Sequence, residues 1–266
     1  MIELGETAVQ TALTTKWLGR AYRYFAAVAS TNDLLKEDDV DDLPAGAVFL
    51  TDYQSQGRGR LNRRWLAPSG SSLLLSILFR PNWPPEQAQW LTMLISLAAA
   101  EAVEAATGLT VGVKWPNDLV VQQAGVWHKF SGLLLEGEMG EDGRLQRAVM
   151  GIGVNVNIPQ TELPEAATPA TSLLAATGRP ISRLALLVDF LGRLEVGYET
   201  AVSGQSPHQA WKRRQVMLGQ RVQVTQLDTE QRIVGIAEDV DGWGRLLVRD
   251  DAGHVHAIAA GDVTLR

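Results

Sequence analysis

The chain contains no cysteine among its 266 residues. That excludes disulfides, thiolate nucleophiles and Cys-ligated zinc, and it fits a reducing compartment. Histidine is scarce as well. His128, His208, His254 and His256 show no H-E-x-x-H spacing, so no tightly held transition metal is expected. Neither a G-x-S-x-G elbow nor a Gly-Lys-Ser/Thr phosphate loop is present, which argues against a serine nucleophile and a P-loop. The first residues lack a basic segment followed by an apolar core. Apolar runs such as residues 73–75 and 98–100 fall far short of the roughly 20 residues that span a bilayer. The expectation is a cytoplasmic protein that does not enter the membrane. A basic surplus is also missing: Lys and Arg number 24 against 30 Asp and Glu, a net charge of −6. A general nucleic-acid binder normally carries the opposite balance.

Against this acidic background one stretch stands apart, Gly57-Arg58-Gly59-Arg60-Leu61-Asn62-Arg63-Arg64-Trp65. It follows a predicted strand, residues 47–53, yet it is not a dinucleotide fingerprint. Asn62 occupies the place of the third glycine and no clean helix follows. What remains is a donor-rich clamp for an anion, because guanidinium forks and backbone N–H groups beside glycine both match carboxylate and phosphate oxygens. Trp65 can stack on a purine. The competing reading is a solvated basic loop or an Arg-Gly patch on RNA; the acidic total and the flanking buried strands favour a small anionic ligand.

The rest of the chain reads as α+β. Residues 1–20 are weakly patterned and are taken as an N-terminal extension with at most one surface helix. Ser30 with Asp33 has the form of a capping box. Residues 22–29, 47–53, 71–79, 109–115, 131–138 and 147–156 read as strands, and 122–129 as a loop or hairpin turn. A helix opens at Pro84-Pro85-Glu86 and ends at Gly108; a second long helix is capped by Ser182. From about Met217 short alternating strands suggest a small antiparallel barrel. The expected domains are therefore 21–214, a mixed sheet with flanking helices, and 215–266. Three charged positions carry open readings. Lys114 is a ligand contact or a strand-edge charge, Asp118 a functional carboxylate or a turn residue, and Lys129 a point charge for a developing anion or a snorkelling surface lysine.

Taken together, five pieces resemble the biotin protein ligases: Ser30-Thr31-Asn32; Asp52-Tyr53-Gln54-Ser55-Gln56-Gly57-Arg58-Gly59-Arg60 followed by Trp65; Lys114-Trp115-Pro116-Asn117-Asp118; Lys129-Phe130-Ser131-Gly132; and Gly151-Ile152-Gly153-Val154-Asn155. They occur in the family order at near-family spacing. The resemblance implies a class II synthetase-like catalytic domain and a C-terminal SH3-like barrel. It implies formation of biotinyl-5′-AMP from biotin and MgATP, then transfer of biotin to a lysine of a biotin carboxyl carrier protein such as the acetyl-CoA carboxylase carrier domain.

Carried over by position, Ser30, Thr31, Asn32, Gln54, Gly57, Arg58, Lys129 and Gly132 would hold biotin. Arg60, Arg63, Trp65, Asn117, Asn155 and Arg266 would hold ATP. Lys129, Arg58 and Asp118 would act in catalysis, with Mg²⁺ bound mainly by the ATP phosphates. The carboxylate of biotin is already a nucleophile, so the first step calls for positioning and charge neutralisation more than for a base. The sequence departs from the family at Asn62, where a glycine is usual, and its 122–128 turn is slightly long. The resemblance covers a monofunctional ligase without the DNA-binding domain of repressor-type members, as monomer or homodimer. Lipoate or octanoate ligases and transferases share the general fold, but the Gly-Arg-Gly-Arg and Lys-Trp-Pro-Asn-Asp pieces argue against them.

Overall fold

The computed structural model describes residues 3–37, 42–164, 168–226 and 231–265. Arg266 and most of the acidic stretch 38–42 lie outside the described residues.

Seven strands form one mixed sheet: β1 (Tyr22–Phe25), β2 (Val48–Thr51), β3 (Ser72–Phe79), β4 (Val111–Lys114), β5 (Asp118–Gln123), β6 (Val126–Met139) and β7 (Leu145–Asn155), in the order β1-β2-β3-β7-β6-β5-β4. β1 and β2 run parallel and every other neighbouring pair is antiparallel. The period-two alternation of a strand sorts the two faces. Leu73, Leu75, Ile77 and Phe79 of β3, and Ala148, Met150, Ile152 and Val154 of β7, belong to the main core. Their alternates, Ser72 and Ser76 on β3 and Gly151, Gly153 and Asn155 on β7, face the other way. One face is thus apolar and covered; the other is small and polar at its centre.

The cover is two long helices, α3 (Ala88–Thr107) and α5 (Arg183–Val202), placed in chain order among four short ones: α1 (Glu6–Ala12), α2 (Thr31–Leu34), α4 (Leu173–Thr177) and α6 (His208–Lys212). Leu91, Leu94, Ile95, Ala98, Ala102 and Val103 of α3 are buried, as the helical spacing predicts. Gly108 ends α3 in the left-handed region at φ 76°. The Ser182 hydroxyl accepts from the Ala185 N–H at 3.2 Å and starts α5. By length and composition the helical stretch Pro85–Thr107 could cross a bilayer. Its apolar residues are instead packed against α5 and the sheet.

Three local expectations change. The N-terminal segment is no surface appendage: Leu4, Val9, Leu13 and Leu18 are in the main core. The Glu195 carboxylate binds it, accepting from the backbone N–H groups of Lys16, Trp17 and Leu18 at 2.8–3.0 Å. Of the two readings of 122–129 the hairpin turn holds, but the turn itself is only two residues and the rest of the stretch is strand. Ala124 and Gly125 both have positive φ (48° and 82°), the signature of a type I′ turn, so Lys129 lies within β6 and not in a loop before it. Third, α6 and a last strand, residues 261–265, were missed by the pattern reading.

The C-terminal strands β8 (Arg221–Gln226), β9 (Arg232–Val240), β10 (Leu246–Asp250), β11 (Val255–Ile258) and β12 (Gly261–Leu265) form an antiparallel sheet in the order β11-β10-β9-β8-β12, consistent with the SH3-like barrel. It docks on the main sheet through Trp115, which is 2% exposed and donates its indole N–H to the Gly244 carbonyl at 2.8 Å. Val222, Val224, Ala237 and Leu246 continue the same hydrophobic core.

Candidate active site

A cavity of about 500 Å³ opens on the polar face of the large sheet. Its wall is assembled from α2, the arginine loop, β5, β6, β7 and the start of β12. Every predicted site residue among the described ones lines it except Gly57, which is buried under the loop with its Cα backed against the Trp65 carbonyl.

At one end the donors and acceptors are strictly sorted. The Thr31 N–H donates to Gln54 Oε1 at 2.8 Å, and the Thr31 hydroxyl lies 3.2 Å from the same oxygen. The Gln54 amide is thereby oriented with its NH₂ group available as a donor. Ser30 caps α2, accepting from the Asp33 N–H at 3.4 Å, which leaves its own proton free. Behind them Thr31 meets the hydroxyl of Ser76 at 2.7 Å, and Ser76 donates to Asn32 Oδ1. Asn32 Nδ2 in turn donates to Glu136 Oε2 at 2.7 Å. The structure places Arg58 here as well, paired with Asp33 and 3.5 Å from Glu136. Lys36 completes this four-charge cluster at 2.9 Å from Glu136. Burial pushes the Glu136 carboxyl up, but the Lys36 and Asn32 hydrogen bonds outweigh it and hold the group below the usual carboxylate range.

The arginine loop folds back on itself. Trp65 N–H donates to the Gly57 carbonyl at 2.9 Å and Gly59 N–H to the Arg63 carbonyl at 2.7 Å, around a 3₁₀ turn at Arg60–Asn62. The left-handed residue within that turn is Leu61, at φ 59°. Arg60 reaches Asn117 Oδ1 at 3.3 Å and the Gly261 carbonyl at 3.4 Å, and Arg63 pairs with Asp262. The loop therefore bridges the large sheet and the C-terminal one across the cavity. Burial lowers Arg60 and Lys114 below their ordinary values, with Asp262 and Asp118 acting in the opposite direction on both.

Opposite the loop, Lys129 Nζ sits 2.7 Å from Asp118 Oδ1 and 5.5 Å from the centre of the Trp65 ring. Asn117 Nδ2 donates to the Leu133 carbonyl, fixing the turn before β5. The Trp65 ring lies on the sheet itself. A Cβ on Gly153 would stand 2.5 Å from its Cε2, and one on Gly151 would stand 2.4 Å from Asn32 Oδ1. These two glycines are thus the floor that lets an indole and an amide lie flat against β7. Two buried polar atoms facing this region have no partner, Trp65 Nε1 and Asn155 Oδ1. Buried polar atoms are nearly always hydrogen-bonded. An unmet donor and an unmet acceptor on one cavity wall are what a bound heterocycle would satisfy.

Residues 24–155 match the biotin/lipoate A/B protein ligase family, and residues 217–266 match the biotin protein ligase C-terminal domain. A biotin–[acetyl-CoA-carboxylase] ligase of Mycobacterium tuberculosis is 33% identical over 92% of this chain and 90% of its own length. The chain belongs to the biotin protein ligase family. The bifunctional ligase/repressor BirA of Bacillus subtilis is 29% identical over 99% of this chain and 79% of its own. Among solved structures, a biotin protein ligase from Aquifex aeolicus in complex with biotin and ATP is 28% identical. It superposes with a TM-score of 0.76 over 93% of this chain and 99% of that one.

Within this ligase fold the structure adds site residues that the sequence reading passed over. Ser76 and Glu136 stand behind the Ser30–Asn32 corner, and Gly261 and Asp262 close the arginine loop from the C-terminal sheet. Ser76 and Glu136 had a weak signal: each is a polar residue on the non-core phase of an otherwise apolar strand. Asp262 had none, because nothing in a short alternating segment tells which distant loop its carboxylate will meet.

Proposed function

We propose the following division of labour for the ATP-dependent, AMP-forming biotin–protein ligase reaction that this chain carries out. Biotin lies at the Ser30–Thr31–Gln54 end, where a hydroxyl donor, an amide donor and a hydroxyl acceptor complement the carbonyl and N–H edges of a cyclic urea. The observation that carries this is the fixed polarity of that corner: Gln54 Oε1 is occupied by the Thr31 N–H, so only its NH₂ group remains to meet a ligand oxygen. ATP, as its Mg²⁺ complex, lies toward Trp65 and Asn155 with its phosphates among Arg60, Arg63 and Lys114. The Mg²⁺ is carried in by the nucleotide phosphates, since such an ion needs only one or two protein carboxylates.

In the first step a carboxylate oxygen of biotin attacks the α-phosphorus and pyrophosphate leaves. Lys129 stands beside both anions and offsets the charge that grows on the α-phosphoryl oxygens, while Asp118 holds its ammonium in place. Arg58, paired with Asp33 and Glu136, anchors the loop at the biotin end. In the second step the amine of an acceptor lysine attacks the acyl carbon, AMP leaves, and Asp118 is the carboxylate placed to take the amine proton. The acceptor is a carboxyl carrier protein; we assign it as the carrier domain of acetyl-CoA carboxylase.

Biotin-dependent exchange of labelled pyrophosphate into ATP tests the first step, and mass spectrometry of a carrier domain after incubation with biotin and MgATP tests the second. Folded protein that supports neither would overturn the assignment. Exchange driven by lipoate in preference to biotin would redirect it to the lipoate branch of the fold.

A further inference from the structure

The cations that line the cavity are divided by their partners. Arg58, Arg63 and Lys129 are paired with carboxylates, those of Asp33, Asp262 and Asp118. Arg64 is exposed and donates to the Ser55 carbonyl at 3.1 Å. The two that remain, Arg60 and Lys114, are half-buried and held by neutral oxygens. Arg60 meets Asn117 Oδ1 and the Gly261 carbonyl, and Lys114 donates to the Thr168 hydroxyl at 2.5 Å. Lys114 is the harder of the two to keep in place, because its ammonium ends a flexible four-carbon stem. Burial and the Lys129 ammonium act against its charge, while Asp118 and Asp262 act for it. Those two carboxylates are already engaged, Asp118 by Lys129 and Asp262 by Arg63.

Thr168 stands at the start of a strap, residues 168–171, that is fastened by its backbone. The Pro169 carbonyl accepts from the Lys129 N–H, and the Thr171 N–H donates to the Lys129 carbonyl, both at 2.8 Å. The Thr171 carbonyl accepts from Asn155 Nδ2 at 3.0 Å. The strap is thus tied to β6 and β7 without help from the Thr168 side chain, whose hydroxyl serves Lys114. We propose that Thr168 is a positioning residue that holds the Lys114 ammonium where the triphosphate of ATP enters. An ammonium has three N–H donors. Thr168 takes one and thereby aims the other two, which are left for phosphate oxygens. The long side chain is ordered before the nucleotide arrives, so that ordering no longer weakens nucleotide binding. The proposal rests on the nucleotide placement given above.

The test is steady-state pyrophosphate exchange with ATP and biotin varied separately. The proteins are wild type, Thr168→Val, Thr168→Ser, Lys114→Met and the double variant Lys114→Met with Thr168→Val. Valine keeps the shape of threonine and removes the hydroxyl; serine keeps the hydroxyl. Thr168→Val is expected to raise the ATP KM about fivefold. Its kcat and biotin KM should stay within about twofold of wild type, because ground state and transition state lose the same contact. Thr168→Ser should return the ATP KM to within about twofold of wild type. Lys114→Met should raise it at least about tenfold, and adding Thr168→Val should change nothing further. A wild-type ATP KM in Thr168→Val or in Lys114→Met overturns the proposal. So does equal impairment by valine and serine, which marks a packing role for the strap. A biotin KM that rises with the ATP KM marks general loosening and overturns it as well. A further loss in the double variant shows that the hydroxyl acts without Lys114, which also overturns it. Wild-type protein with no biotin-dependent exchange would instead refute the underlying ligase reading, which keeps the two failures apart.

Discussion

Replacing Gly153 by alanine probes the floor beneath Trp65 with a single methyl group. Its carbon would stand 2.5 Å from Trp65 Cε2, 2.7 Å from Nε1 and 2.9 Å from Cζ2. Favourable carbon contacts begin near 3.5 Å, so something must retreat by about 1 Å. β7 is locked on both sides here, Gly153 being paired with Leu74 of β3 and with Gly132 of β6. Moving it would disturb two ladders. Trp65 belongs to a half-exposed loop that is joined to the body mainly through arginine contacts. The ring is therefore the part that yields. Once lifted, it no longer offers a face to the adenine of ATP, and a base–aromatic stack is worth about 1–3 kcal/mol. At 1.4 kcal/mol per tenfold, the ATP KM should rise roughly 5- to 150-fold while the biotin KM stays within about threefold. Tm should fall by no more than about 3 °C, the equivalent of roughly 1 kcal/mol in a chain of this size. An unaltered ATP KM would refute the placement of the nucleotide on Trp65. A drop in Tm of about 10 °C would show that the sheet, not the ring, gave way.

Lys129→Ala removes the ammonium beside Asp118 and leaves that carboxylate without its partner; adenylate formation in single-turnover experiments should slow by about 10²–10³-fold, with the melting temperature little changed. Trp115→Phe deletes the indole hydrogen bond to Gly244 inside the junction of the two sheets, and urea unfolding should show a loss of about 1–3 kcal/mol. Glu195→Gln bears on the N-terminal segment. Burial alone would raise the Glu195 carboxyl, but three backbone N–H donors outweigh it and hold its pKa below the ordinary glutamate value. A carboxyl depressed in the folded state adds stability above its unfolded pKa, about 4.3, and loses that contribution as pH falls through the lower folded value. Glu195→Gln should therefore be less stable than wild type at pH 7 by about 1.5–3 kcal/mol, with the gap closing below pH 4; a constant gap across that range contradicts the account.

Much of this protein is legible one residue at a time. The apolar spacing of α3, the serine caps at Ser30 and Ser182 and the terminating Gly108 are local signals, and the structure follows them. The misreadings are local too, but of a different sort. The pattern overestimates the length of the turn at Ala124-Gly125, and leaves loop and hairpin both open, because alanine rarely takes positive φ. Residues 3–18 look featureless because their buried positions, Leu4, Val9, Leu13 and Leu18, follow no single period. Their partner, Glu195, lies far away on α5.

The sequence by itself determined the anion-binding loop, the five family pieces and the two-part α+β plan, since these rest on residue types and near-neighbour spacing. Only the tertiary structure decided how the charges are shared out. It took Arg58 to the Asp33–Glu136 cluster, joined Lys129 to Asp118, and brought Asp262 across from the C-terminal sheet to Arg63. The reason is range. Periodicity and capping act within a few residues, whereas Thr31 and Glu136 are linked only because β3, α2 and β6 stack Ser76 and Asn32 between them.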